Sequence, residues 1–370
     1  MKPLVKEIFL LRALACLAVV FIHAITSLNR NVDGNAAFHH TELIAGLSLL
    51  QVLLMFGTPM FIFISEFVLA KTYHSSTPAH FLTKRMKYIF VPFLVIGFVT
   101  MMIDILQAGS LTGKQLLFMF YDYFIAGNFN GYFIMIIFQF YLLHLFFIRY
   151  VQHRFSPKAV LSVSIAVNLL YLSYFNFVDP YTFFPYKMTF LAWIGYFTIA
   201  FYCGKYHESF LTFLNRYKYM ITLTLLVTAA SLVFLHVSGL YQEIHSKRID
   251  IFIYTVSLAF FLFYVGTKLN SLPSVIVKIS QYSFGIYLLH PFFLLAYRNL
   301  LNPQLIQNDY LYAFVYLVFA AVISISGSIL TVFILNKFKA GAYIAGKVGR
   351  PLVQTEKKAA VSVSLEKQSV

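Results

Sequence analysis

Two residues stand out in "LLRALACLAVVFIHAI", Leu10 to Ile25: Arg12 and His23, in a stretch that is otherwise almost entirely apolar. A guanidinium binds phosphate or carboxylate, and an imidazole can take and return a proton near neutral pH. They are eleven residues apart. On a helix this is about 20° past three full turns, so both side chains share one face, ~16.5 Å apart along the axis. An arginine within a membrane span is costly unless it faces protein or water, and by default it marks a site or a pathway. The plainer reading is that Arg12 snorkels to the headgroups and His23 bonds a neighbouring helix. The two residues alone do not decide between these. A second histidine, His290, stands in "YSFGIYLLHPFF", immediately before Pro291. It is open to the same pair of readings.

These residues have to be placed by membrane helices. The 370-residue chain is 60% hydrophobic and 19% aromatic but only 11% charged, with a mean hydropathy of +0.77. Such a composition does not fit a soluble protein of this length. The apolar runs are each near the ~20 residues a helix needs to cross the hydrocarbon, so the predicted fold class is an all-α integral membrane protein. Ten spans are expected, at about 8–29, 43–70, 87–106, 131–149, 159–176, 188–205, 219–237, 250–268, 280–300 and 310–335. Residues 113–126 are apolar but short and hold Asp122, which predicts an interfacial or re-entrant segment. The first run has no small-x-small site after it and reads as an uncleaved span.

With the N-terminus inside, the cytoplasmic segments carry 21 of the 28 basic residues and the outer loops only six: Arg30, Lys114, Lys187, Lys247, Arg248 and Arg298. This skew predicts that both termini are cytoplasmic and that the chain is a multi-pass protein of the cell membrane. It also accounts for the net charge of +15 without a nucleic-acid partner. Cys16 and Cys203 form no framework or zinc cluster, and the His39-His40 pair lacks further ligands at helical spacing, so no metal is expected. One membrane domain is expected over 1–340, with 341–370 a polar cytoplasmic tail whose composition predicts disorder.

Five stretches carry a resemblance. Arg12-x10-His23 opens the chain. "FGTPMFIFISEF" (Phe56–Phe67), "LTKRMKYIFVPF" (Leu82–Phe93), "GYFIMIIFQFYLL" (Gly131–Leu143) and "YSFGIYLLHPFF" (Tyr282–Phe293) follow in order. Together they resemble the acyltransferase type 3 family of bacterial membrane proteins, over about residues 5–335. Their wording is nearest to small Gram-positive members, including biofilm poly-N-acetylglucosamine modification or export proteins. Two departures are visible: Ser65-Glu66 replaces a Ser-Gly, and Arg85-x-x-Tyr88 replaces an Arg-x-x-Arg, with Lys87 alongside.

The resemblance implies acyl transfer from a cytoplasmic acyl-CoA, acetyl-CoA first among them, to a hydroxyl of an extracytoplasmic polysaccharide or other envelope glycan. The donor is a substrate, and no permanently bound cofactor is implied. The catalytic residues would be His23, Arg12 and His290. Arg12, Lys84, Arg85 and Lys87 form a cationic cluster suited to the phosphates of coenzyme A, although positive-inside topology alone would also place the loop residues there. His23 would take the hydroxyl proton, with His290 as second base, oxyanion donor or orienting group. Tyr132, Gln139, Tyr141, Tyr287, Ser65 and Glu66 would bind substrate, and Glu66 could instead pair with Arg12. The alternative function is an exporter or flippase of a surface polysaccharide such as poly-N-acetylglucosamine. The sequence shows neither the paired halves nor the phosphate-binding loop that would mark common transporter designs.

Overall fold

The computed structural model describes residues 6–32, 41–109, 112–126, 129, 131–178, 189–301, 306 and 308–349. His39, His40, Lys187 and the tail from 350 onward lie outside them. Every regular element among the described residues is helical, as the bilayer requires of a chain that must satisfy its own backbone. The helices are α1 (Lys6–Val32), α2 (Thr41–Leu54), α3 (Gly57–Tyr73), α4 (Phe81–Arg85), α5 (Val91–Ala108), α6 (Gly113–Phe124), α7 (Phe133–Phe146), α8 (Pro157–Phe177), α9 (Ile194–Lys205), α10 (His207–Arg216), α11 (Lys218–Val237), α12 (Ile249–Lys268), α13 (Ser274–Leu300), α14 (Asp309–Leu335) and α15 (Gly341–Ile344).

Each of the ten expected spans coincides with a helix or a broken pair of helices. Among the described residues, eight are long and apolar enough to cross a membrane. The two that are not are α9, shorter than a bilayer requires even with its 3-10 entry at Phe190–Trp193, and α13. The latter has 27 residues, but Lys278, Ser280, Gln281, Ser283, His290 and Arg298 interrupt its apolar run. The short α6 starts on a capping box, Thr112 with Gln115, and its 12 residues rise only ~18 Å.

Helix breaks follow the prolines. Pro59 has no amide hydrogen for the carbonyl four residues back, Met55, and the chain turns at Met55–Phe56 between α2 and α3. Pro92 does the same to Tyr88. There a wider π-turn, Met86–Phe90, joins α4 to α5. This turn carries Lys87 and directly follows Arg85.

At the centre is α1, packed against α13, α3, α12 and α14. In its most apolar stretch 61% of residues are buried, against 17% for the peripheral α8 and α11. Close crossings depend on missing side chains: a Cβ at Gly204 of α9 would lie 2.5 Å from the Phe67 carbonyl of α3. The first residues of the segment expected to be tail, 341–349, are described and folded. Residues 341–349 fold back as α15 and a turn at Gly346, whose φ is +76°. Gly349 N–H donates to the Gln281 carbonyl at 2.8 Å, and Ala345 is buried.

Glu66 does not meet Arg12. It lies fully buried against His144 of α7, whose Nδ1 donates to Glu66 Oε1 at 2.7 Å. Phe81 and Phe201 pack around the imidazole. The pair links α3 to α7 in a region with no water to replace either partner. Removing one member of a buried pair strands the other, at a cost of about 3–5 kcal/mol. Glu66→Ala is therefore expected to lower the thermal unfolding midpoint in detergent sharply. Glu66→Gln, which keeps an acceptor for His144, should lose much less. Equal midpoints for wild type and Glu66→Ala would show that the pair contributes nothing.

Candidate functional site

α1 carries a stripe of polar residues, Arg12, His23 and Arg30 among them, on a helix whose most apolar stretch is largely buried in protein. That stripe opens into two chambers. The first, about 790 Å³, lies at the end where basic residues gather. Arg12, Ser65, Lys84, Arg85, Lys87 and Tyr141 line it, with Tyr287 and Lys347. The second, about 690 Å³, contains His23 with Arg30, Asp104 and Arg298. The eleven-residue spacing thus puts Arg12 in one chamber and His23 in the other, on the same face of one helix.

His290 lines neither chamber but packs against one residue of each, Tyr287 of the first and His23 of the second. Its ring centroid is 5.1 Å from that of His23 and 6.4 Å from that of Tyr287, and it is fully buried. Pro291 has no amide hydrogen for the Tyr287 carbonyl, so α13 is loosened at this turn. The Nδ1 of His290 lies 2.9 Å from the Ile286 carbonyl. A carbonyl accepts only, so Nδ1 must carry the proton, and the neutral ring then keeps its lone pair on Nε2. That Nε2 is buried and has no hydrogen-bond partner among the described residues. A buried imidazole nitrogen with a free lone pair is what general-base chemistry uses.

Aromatic rings close the first chamber on this side. Phe133 packs 6.1 Å from Phe61 and 5.8 Å from Tyr287, centroid to centroid, and all three line the chamber.

Arg12 makes no hydrogen bond or ion pair among the described residues. With Glu66 engaged by His144, no carboxylate neutralises it. Arg85 is held by its flat faces: its guanidinium lies 5.0 Å from the Phe81 ring and 5.3 Å from the Tyr141 ring. Such contacts orient the cation while leaving its N–H groups available, and Arg85 Nε has no partner among the described residues. Tyr141 and Ser65 stand on the same wall. The folded-back C-terminal segment adds a fifth side-chain cation, after Arg12, Lys84, Arg85 and Lys87, to the chamber. Lys347 Nζ lies 3.7 Å from the centre of the Tyr88 ring, and Tyr88 stacks on Tyr343.

Not all expected substrate-binding residues reach a chamber. Gln139 accepts from the Phe190 backbone N–H at 3.1 Å and so fixes the entry to α9. Tyr132 contacts Thr58 and Ser246, under the Lys247 ammonium at 5.2 Å, and lines neither chamber. Glu66 lines neither. Sequence reading missed Lys347, Tyr88 and His144. Lys347 was counted only as a tail charge, and nothing in the sequence links His144 to a residue 78 positions earlier.

Comparison with known proteins agrees with this architecture. A family model described as "Acyltransferase domain", that of the type 3 acyltransferases, matches residues 5–333. The chain is 39% identical to the "Putative membrane-bound acyltransferase YfiQ" of Bacillus subtilis, over 97% of this chain and 98% of that one. It is 30% identical to the "Probable poly-beta-1,6-N-acetyl-D-glucosamine export protein" of Staphylococcus epidermidis, over 83% of this chain and 86% of that one. The protein of that name from Staphylococcus aureus is 28% identical, over 82% and 87%. No solved structure matches the chain. With the family model covering nearly the whole membrane part and a full-length relative named as an acyltransferase, this multi-pass membrane protein belongs to the acyltransferase type 3 family.

Proposed function

We propose that the protein transfers an acyl group, most simply acetyl, from a cytoplasmic acyl-CoA to a hydroxyl of an extracytoplasmic glycan. The observation that carries this reading is the contact of His290 with His23, which lines a chamber of mixed charge, and with Tyr287, which lines a cationic one. The excess of basic residues on one side supports placing the Arg12 chamber and both termini in the cytoplasm.

In this reading the phosphates of coenzyme A engage Lys84, Arg85, Lys87 and Lys347, and Arg12 draws the donor into the bundle. Pantetheine is long and narrow. It would run along α1 through the ring wall of Phe61, Phe133 and Tyr287, over the ~16.5 Å between the Arg12 and His23 levels. The acceptor enters from the His23 side. Its hydroxyl oxygen attacks the thioester carbonyl carbon while its proton passes to an imidazole nitrogen, His290 Nε2 or His23. The tetrahedral species collapses with loss of the C–S bond, and the departing thiolate takes that proton. The products are the glycan ester and free coenzyme A, with the histidine restored. Two imidazoles in contact allow one to hold the proton while the other orients the hydroxyl.

Export of a surface polysaccharide is the second reading, favoured by the names of the staphylococcal relatives. Acyl analysis of envelope and secreted glycans separates the two. A deletion strain should lose one ester mark, regained with wild type but not with His290→Ala or His23→Ala. Each variant should lose at least 100-fold in activity while still entering the membrane. An unchanged ester profile, with polymer retained in the cell, would establish export instead.

Donor binding gives an independent check. Arg85→Ala and Lys347→Ala are each expected to raise the KM for the acyl-CoA about tenfold or more, with a smaller change for the acceptor. If donor dependence were the same in both variants as in wild type, the phosphate site would lie elsewhere.

A further inference from the structure

The chamber that holds His23 has a charge pattern of its own. Arg30 sits in the last turn of α1 and Arg298 in the last turn of α13, and both line it. The two helix ends are tied by Asn31, whose Nδ2 donates to the carbonyls of Arg298 at 3.0 Å and Leu301 at 3.3 Å. This tie fixes both arginines on one cavity. Neither guanidinium has a hydrogen-bond or ion-pair partner among the described residues. One carboxylate, Asp104, faces them across the chamber, and it accepts the Tyr123 hydroxyl.

A structural arginine looks different in this protein. Arg248 is fully buried, bonded to both oxygens of Asp250 at 3.0 and 2.6 Å and to the carbonyls of Tyr241 and Glu243. Cations at helix C-termini are favoured by the helix dipole, which explains the position of one exposed arginine. It does not explain two converging on the chamber that contains His23, on the side that is poor in basic residues.

We propose that this chamber is a binding site for an anionic group, phosphate or carboxylate, carried by the acceptor glycan near the hydroxyl that is acylated. The proposal rests on the acyl-transfer reading for its meaning, but not for its test. Two guanidiniums can grip such a group through charge-assisted, bidentate hydrogen bonds. A neutral or amine-bearing glucosamine polymer would leave them unpaired or repel them. The preferred acceptor is thus an acidic glycan.

The test uses the full chain in phosphatidylcholine nanodiscs and four fluorescent probes. Two are anionic, a hyaluronan tetrasaccharide and a glycerol phosphate hexamer. One is neutral, chitotetraose, and one is cationic, the glucosamine tetramer. At least one anionic probe should bind tenfold or more tightly than chitotetraose, and the cationic tetramer should bind most weakly. Arg298→Gln should reduce the anionic preference about tenfold, and Arg298→Lys should restore part of it. Asp104→Asn removes the opposing charge and keeps an acceptor for Tyr123. It should shift the preference the other way, by about two- to fivefold, so simple loss of folding cannot mimic both results. Equal binding of all probes, or a preference unmoved by Arg298→Gln, overturns the proposal. Adding phosphatidylglycerol to the nanodisc should leave the glycan affinities in place. If it abolishes anionic-probe binding, the chamber holds a lipid headgroup and the glycan assignment is wrong. Transfer from acetyl-CoA is measured separately on the same probes. Selective, Arg298-dependent binding without any ester formed would refute the acyl-transfer reading and leave the anion site standing.

Discussion

The contact of His23 with His290, rings 5.1 Å apart, is the constraint on which the rest of the molecule depends. Two imidazoles cannot be brought together inside an apolar helix bundle by their own attraction. They are held there by the crossing of α1 with α13, and that crossing is maintained by apolar packing on all sides. Buried nitrogen atoms without partners are costly where water is absent. Ser27 and Tyr316 avoid that cost by bonding each other at 2.8 Å, as do Ser164 and Thr198 at 2.6 Å. The open Nε2 of His290 does not, nor do ring nitrogens of His144, His207 and His236 among the described residues; what sets His290 apart is its contact with His23.

The surroundings hold that pair inside the helix bundle, beside two chambers. α1 is buried in the centre and carries a polar stripe. α13 gives up the regular apolar composition of a span to present Ser283, Tyr287 and His290. Pro92 and the π-turn it imposes aim Lys87 at the mouth of the first chamber and follow directly on Arg85. Phe61, Phe133 and Tyr287 separate the mouth from the histidines. A narrow chain can part such rings, whereas hydrated ions face an apolar barrier.

Much of this was legible in the sequence. Arg12, His23 and His290 are polar residues in apolar spans, and one-dimensional spacing is enough to put the first two on one face. The span positions were legible for the same reason, since helix length is tied to bilayer thickness. What the sequence leaves open is everything set by distant pairing. Glu66 could have met Arg12 or many other groups, and its bond to His144 depends on how α3 crosses α7. Gln139 reads as a binding residue but serves the Phe190 amide, a partner 51 positions away that no local pattern reveals. Residues 341–349 looked like the start of a polar tail because Gly341, Gly346 and Gly349 resemble linker. Those glycines instead permit a tight fold against Leu335, Phe284 and Gln281, which carries Lys347 to the cavity. The shortness of α9 and the polar character of α13 likewise turn ten apolar stretches into eight helices that meet the requirements of a span among the described residues.

The central claim is that one donor occupies the Arg12 chamber and reaches the histidine pair through the aromatic wall. A cryo-EM structure of the protein in nanodiscs with a non-transferable acyl-CoA analogue tests it most directly. The account predicts the nucleotide phosphates against Arg85 and Lys347, the rings of Phe61, Phe133 and Tyr287 parted around pantetheine, and the acyl carbonyl within one hydroxyl's reach of His290 Nε2. Density for the nucleotide away from these cations, or an acyl end that stops on the Arg12 side of a closed aromatic wall, would contradict it.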